Sequence, residues 1–113
     1  MRILVVEDNP AVAQTVESVG AQICVECATD GWDAIEKLEN ESYDAIVIDT
    51  DLPRHSGFGV LTYLREEIGD DLPNVIVITS SDRDELQRKL QVHVIAKTDE
   101  DLTEAVRLLA HRS

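Results

Sequence analysis

A chain of 113 residues and 12.6 kDa, 43% hydrophobic and 29% charged, suffices for one compact domain with one core and is too short for two. Its 23 Asp and Glu against 10 Lys and Arg leave a formal charge of -13, so a nucleic-acid surface that works by neutralising phosphates has almost no raw material. No apolar stretch approaches the ~20 residues needed to cross a bilayer, and Met1-Arg2-Ile3-Leu4-Val5-Val6 runs straight into Glu7-Asp8 without a cleavage-type signal. The chain reads as soluble and cytoplasmic.

Apolar runs of strand length alternate with segments of helical period. The first strand is expected at Arg2–Val6, followed by a helix from Pro10 to Val19 with Asn9 as N-cap, Pro10 at the first helical position and Val12, Val16 and Val19 on one face. Gln22–Ala28 reads as the second strand, and Gly31 to Glu39 as a helix stacking Ala34, Ile35 and Leu38. The third strand falls at Ala45–Ile48, before a helix from Gly57 to Ile68 with Val60, Leu61, Leu64 and Ile68 on its apolar face. Asn74–Thr79 is the fourth strand. The helix after it, near Asp82 to Leu90, has only Leu86 and Leu90 as anchors and is expected to be the least protected. Val92–Ala96 is the fifth strand, and Thr98-x-x-Asp101 is a capping-box-like start to a last helix striped by Leu102, Ala105, Val106 and Leu109.

The strands are Val- and Ile-rich and nearly continuous rather than alternating, as parallel strands covered on both faces are. Five strand–helix repeats with short connections imply right-handed crossovers, a parallel sheet and a doubly wound α/β fold. A flavodoxin-like (βα)5 three-layer sandwich with strand order 2-1-3-4-5 is the natural candidate, and such folds bind ligands beyond the carboxyl ends of the strands.

Cys24 and Cys27 form C-x-x-C inside a strand-like run, away from the helix N-terminus that would activate a thiol, so they read as small core or edge residues of a reducing compartment. Trp32 and Tyr63 are expected to pack on their helices, and His55 to face solvent.

Glu7 and Asp8 end the first strand, Asp49 the third, Thr79 the fourth and Lys97 the fifth. With the first and third strands adjacent, three carboxylates converge on one crevice. Like charges about 5 Å apart repel by roughly 3 kcal/mol at an effective dielectric near 20, which favours a hard cation such as Mg2+. Lys97 and Thr79 add a positive charge and a hydroxyl, a combination suited to a phosphoryl group.

On these residues the sequence resembles the receiver domain of two-component response regulators, of the chemotaxis-regulator kind, over residues 1–113. Glu7-Asp8-Asn9-Pro10 is similar to the family's opening acidic motif, and Asp49 with Pro53 and Gly57 behind it to the phosphoacceptor strand and loop. Val75-Ile76-Val77-Ile78-Thr79-Ser80 resembles the hydroxyl-bearing strand, and Val94-Ile95-Ala96-Lys97 the strand ending in lysine. The resemblance implies that Asp49 takes a phosphoryl group from a phosphohistidine of a histidine kinase or histidine phosphotransfer protein. It further implies that Glu7, Asp8, Asp49 and the backbone carbonyl of Asp51 hold Mg2+ or Mn2+, and that Lys97 and Thr79 bind phosphoryl oxygens. The domain would catalyse only its own phosphorylation and slow dephosphorylation. It would act on a downstream protein or fused output domain, with room for a homodimer through the fourth helix, fifth strand and fifth helix or through the first helix, and with no nucleic acid or membrane. The chain ends soon after the fifth helix, as a stand-alone regulator or an excised receiver would.

The sequence departs from the family where Thr98 follows Lys97 in place of the usual proline, and where Val94 occupies a position commonly aromatic. The first and fourth helices are also short. These departures leave open a degenerate pseudo-receiver that binds a partner constitutively. Asp49-Thr50-Asp51 also reads as the D-x-D of a haloacid-dehalogenase-like Mg2+ phosphatase, although that family is usually larger and opens with its D-x-D strand.

Overall fold

The computed structural model describes residues 1–50, 56–67, 74–80 and 82–112, without the side chains at 56–58 and 112. Strands and helices alternate as β1 (Arg2–Val6), α1 (Pro10–Glu17), β2 (Cys24–Ala28), α2 (Gly31–Asn40), β3 (Ala45–Asp49), α3 (Ser56–Glu67), β4 (Val75–Thr79), α4 (Arg83–Leu90), β5 (His93–Ala96) and α5 (Asp99–Arg112). All strand pairs are parallel, in the order β2-β1-β3-β4-β5. The doubly wound flavodoxin-like topology expected from the sequence is therefore present. Element ends differ from the expected ones by one or two residues.

Strand alternation sorts the core into two layers. Leu4, Val6, Ile46, Ile48, Val75, Val77 and Val94 face the side packed by Ala34 of α2, by Val60, Leu61 and Leu64 of α3, and by Leu90 of α4. Ile3, Val5, Ala45, Val47, Ile76, Ile78 and Ile95 face Val12 and Val16 of α1 and Leu102, Ala105, Val106 and Leu109 of α5. The strand parity reaches the carboxyl ends: Asp49 falls on the α1/α5 face with Val47, and Thr79 on the α3/α4 face with Val77.

Two expectations fail. β2 is not covered on both faces: only Ala28 is buried and Cys24 and Cys27 are exposed, because β2 forms an edge of the sheet. Trp32 does not pack, with 82% of its surface exposed. It lies beside the α2 stripe, in the first helical turn, where no neighbouring element covers it. Tyr63 does pack, partly buried against the α2/α3 layer.

The helices are fixed by local signals. Asn9 caps α1 by accepting from the amide of Ala11 at 3.0 Å, Asp30 caps α2 by accepting from Asp33 at 2.9 Å, and Asp82 caps α4 by accepting from Asp84 and Glu85. α4 ends at Gln91, whose φ of 55° places it in the left-handed region. Only Leu90 of α4 is buried, with Leu86 partly so, against four buried residues on α5. Two polar contacts supplement that anchor: Arg65 donates to the Leu90 carbonyl, and Gln87 Oε1 accepts from the Val94 amide at 3.3 Å. With so little apolar surface holding it, α4 is expected to open first: its amides should exchange with deuterium faster than those of α5. Equal protection in the two helices would contradict this account.

Candidate functional site

The first crossover folds around a carboxylate. Glu7 follows β1 directly, is 5% exposed, and its amide donates to the Ala28 carbonyl at 2.9 Å, continuing the β1/β2 ladder by one step. Its Oε1 accepts from the amides of Asp8 at 2.9 Å and Asn9 at 3.2 Å, so the chain turns toward α1 with Glu7 pointing inward. Asp8, next in the chain, is exposed.

Asp49 is the last residue of β3, 1% exposed and in register with Ile78 of β4. Thr50 holds the strand end by donating its amide to the Ile78 carbonyl at 3.1 Å. Lys97 follows β5. Its amide donates to the Thr79 carbonyl at 2.8 Å, and its ammonium reaches back across β4 to donate to Asp49 Oδ2 at 2.5 Å. The same nitrogen lies 3.2 Å from Glu7 Oε2, an ion-pair distance, yet Oε2 is buried without a hydrogen-bond partner. Thr79 ends β4, is 1% exposed, and stands in register with Ala96.

The structure thus brings Glu7, Asp49 and Lys97 into direct contact and sets Thr79 on the strand between Asp49 and Lys97. Asp8 stands exposed beside them, near enough for its carboxylate to act on Glu7. Among the described residues, no three His, Cys, Asp or Glu side chains are close enough to form a metal cage by themselves. Asp51 and His55 fall outside the described residues. The sequence reading missed the Glu7–Lys97 ion pair, which depends on the register of three strands and leaves no local signal.

One ammonium shared by two buried carboxylates leaves an excess of negative charge. Burial first, then the neighbouring Asp49 and Asp8 carboxylates, push Glu7 up to about 7. Burial alone would lower the Lys97 ammonium, but its contacts with Asp49 and Glu7 outweigh that and raise it. The arrangement can take a hard cation in exchange for the Glu7 proton, or present an ammonium to an anion arriving at Asp49. By contrast, partial burial and the charge of Glu17 push the Cys27 thiol up, away from redox activation.

Fold and site together define a doubly wound α/β domain with an acidic crevice crossed by a lysine. Residues 3–108 match the family described as the response regulator receiver domain. The chain is 40% identical over 84 residues to response regulator MprA of Mycobacterium avium (strain 104), covering 73% of this chain and 36% of that relative, so it spans about a third of the relative's length. Among solved structures, it is similar to the receiver domain of Francisella response regulator 1452, at 26% identity and a TM-score of 0.78, over 98% of this chain and 97% of that one. It is also similar to response regulator TrrA of Thermotoga maritima in complex with Mg2+–BeF, at 26% identity and a TM-score of 0.73, over 96% and 97%. This chain belongs to the response regulator receiver domain family.

The Glu7 shift has a signed consequence in metal-free protein. Its carboxyl is raised from an ordinary value near 4.5 to about 7 on folding, so the folded state binds more protons between those values. The stability it contributes is fully present below 4.5 and lost as pH rises through 7. Relative to Glu7→Gln, which cannot ionise, the unmodified protein should therefore lose stability in urea melts as pH is raised from 4.5 to 8. A pH-independent difference would show that Glu7 is not proton-loaded.

Proposed function

We propose that this receiver domain takes a phosphoryl group onto Asp49 from a phosphohistidine of a histidine kinase or histidine phosphotransfer protein, in a Mg2+-dependent reaction, and thereby alters a protein-interaction surface. The observation that carries the reading is the Lys97 ammonium lying between Asp49 Oδ2 and Glu7 Oε2 at the carboxyl edge of the sheet.

The donor set fits a magnesium ion. All its atoms are hard oxygens, one of them, Glu7 Oε2, is buried without a hydrogen-bond partner, and Mg2+ keeps several waters while binding through one or two carboxylates rather than a closed protein cage. Glu7, exposed Asp8, Asp49 and the backbone carbonyl of Asp51 are the proposed ligands, and Mn2+ is the natural substitute. When bound, the ion supplies countercharge for phosphoryl oxygens.

The chain's own residues do the rest. An Asp49 carboxylate oxygen forms the new P–O bond as the P–N bond to the donor imidazole breaks. Charge in such a transfer spreads over the three equatorial oxygens, so catalysis is mostly positioning and counter-charge. Lys97 supplies a fixed ammonium that passes from the carboxylate to a phosphoryl oxygen, and the Thr79 hydroxyl binds another after transfer. Transfer turns a carboxylate of charge −1 into an acyl phosphate of about −2, and the added charge of roughly one unit then biases the β4 end and the lightly anchored α4. The modified face would be read by a downstream protein or a fused output domain.

The test is labelling by acetyl phosphate in the presence of Mg2+. One stable label per chain is expected, absent in Asp49→Asn, with a rate lowered by about 10²- to 10³-fold in Lys97→Ala. Incorporation that persists in Asp49→Asn removes that residue from the role. A silent site in the unmodified protein points to a constitutive binding module, and repeated turnover of p-nitrophenyl phosphate to a phosphatase.

A further inference from the structure

Lys97 comes from β5 but pairs with Asp49 of β3, two strand positions away in the sheet. Strands lie about 4.8 Å apart, so the ammonium must be carried across roughly 10 Å of sheet edge, and the direction in which the stem leaves the backbone decides whether it arrives. That direction is set at Thr98. Its amide donates to the Ala96 carbonyl at 2.8 Å, closing a three-residue turn with Lys97 at the centre. Its Oγ1 accepts from the Asp101 amide at 3.2 Å, and its carbonyl accepts from the Leu102 amide at 3.1 Å, so the same residue is the N-cap of α5. The next residue, Asp99, is held to α1 by the Thr15 hydroxyl, which donates to Asp99 Oδ1 at 3.2 Å. Lys97, Thr98 and Asp99 border a small cleft of about 30 Å³ with Val12, Ile78 and Leu102 on its apolar side.

We propose that Thr98 is a positioning residue for Lys97: by capping α5 through Oγ1 while closing the turn through its amide, it locks the backbone from which the ammonium reaches Asp49 and Glu7. The cap is thereby coupled to the site and not only to helix stability. The link to phosphoryl transfer rests on the function proposed above; the positioning itself does not.

The test uses metal-free protein first. The chain has three lysines, so the ammonium of Lys97 is identifiable in a ¹⁵N spectrum by its loss in Lys97→Ala, and shielding by two carboxylates slows its exchange with water. Thr98→Ala should broaden or abolish that signal and Thr98→Ser should keep it. Asp101→Pro removes the same hydrogen bond from the donor side, within the first turn of α5, and should reproduce the loss even where Thr98→Ala does not fold. Asp30→Ala removes a cap from α2, far from Lys97, and serves as the control for plain helix destabilisation. Acetyl phosphate labelling should fall about tenfold in Thr98→Ala, the size of one lost cap, and recover in Thr98→Ser. An unchanged ammonium signal in both Thr98→Ala and Asp101→Pro, or an equal loss in Asp30→Ala, overturns the proposal. Absence of labelling in the unmodified protein counts against the phosphoacceptor reading alone, because the ammonium signal decides Thr98's role without it.

Discussion

Two carboxylates with almost no access to water, Glu7 and Asp49, sit close enough together to contact one nitrogen, and that nitrogen belongs to Lys97. Taking charged groups out of water costs several kcal/mol per ion in real proteins, and that cost is offset only where geometry and hydrogen bonds are good. Here the offset is unequal. Asp49 receives a short charge-assisted hydrogen bond, whereas Glu7 satisfies one oxygen with two backbone amides and leaves the other facing the ammonium without a bond. The ion pairs also tie β5 directly to β1 and β3 at their carboxyl ends, whereas the ladder links β5 to them only through β4.

That inequality poises the crevice. A site in which every charge was paired would resist the arrival of anything ionic. Here the Glu7 carboxyl is raised to about 7 by burial and its acidic neighbours, so near neutral pH it is divided between its protonated and ionised forms, and on the proposed function it would give up that proton to a metal ion. On the proposed function, an arriving phosphoryl group would bring negative charge to a place already rich in it. The exposed Asp8, with its carboxylate in water, adds to that charge without the desolvation cost that Glu7 bears.

Much of this was legible in the sequence, and the reasons are physical. Continuous Val and Ile runs announce strands covered on both faces, and short connections force parallel order, so β1, β3 and β4 were readable as buried strands. β2 was not, because an edge strand and a central strand carry similar residues when only one face separates them. Trp32 was misjudged for a related reason: its hydrophobicity argues for burial, while its place beside the Ala34–Ile35–Leu38 stripe depends on which helix lies next door. At the site, strand ends pointed to Asp49, Thr79 and Lys97 as candidates, because ligands bind there in doubly wound folds, and the structure places all three at the carboxyl edge of the sheet. Which member of Glu7-Asp8 turns inward was not legible, since a strand buried on both faces has no apolar–polar alternation to give the parity. The replacement of proline by Thr98 was visible as an anomaly, but its resolution required the hydrogen bonds of the turn.

The end of β4 joins the site to the rest of the molecule. The Ile78 carbonyl holds Thr50 beside Asp49, and the Thr79 carbonyl holds Lys97, so both partners of the central ion pair are hung from consecutive peptide groups of one strand. By strand parity, the Thr79 side chain lies on the face that α3 and α4 cover, opposite to Asp49. Thr79 therefore stands between the ion pair and the α4 face, with its carbonyl holding Lys97 and its side chain on the other layer. α5 cannot respond in the same way, because four buried side chains fix it to the other layer. α4 can, since one buried leucine and the polar contacts made by Gln87 and Arg65 leave it the helix that is least costly to move. With Val94 in β5 too small to swing as an aromatic ring does, the Gln87 hydrogen bond to its amide joins the packing of Leu90 in linking β5 to α4.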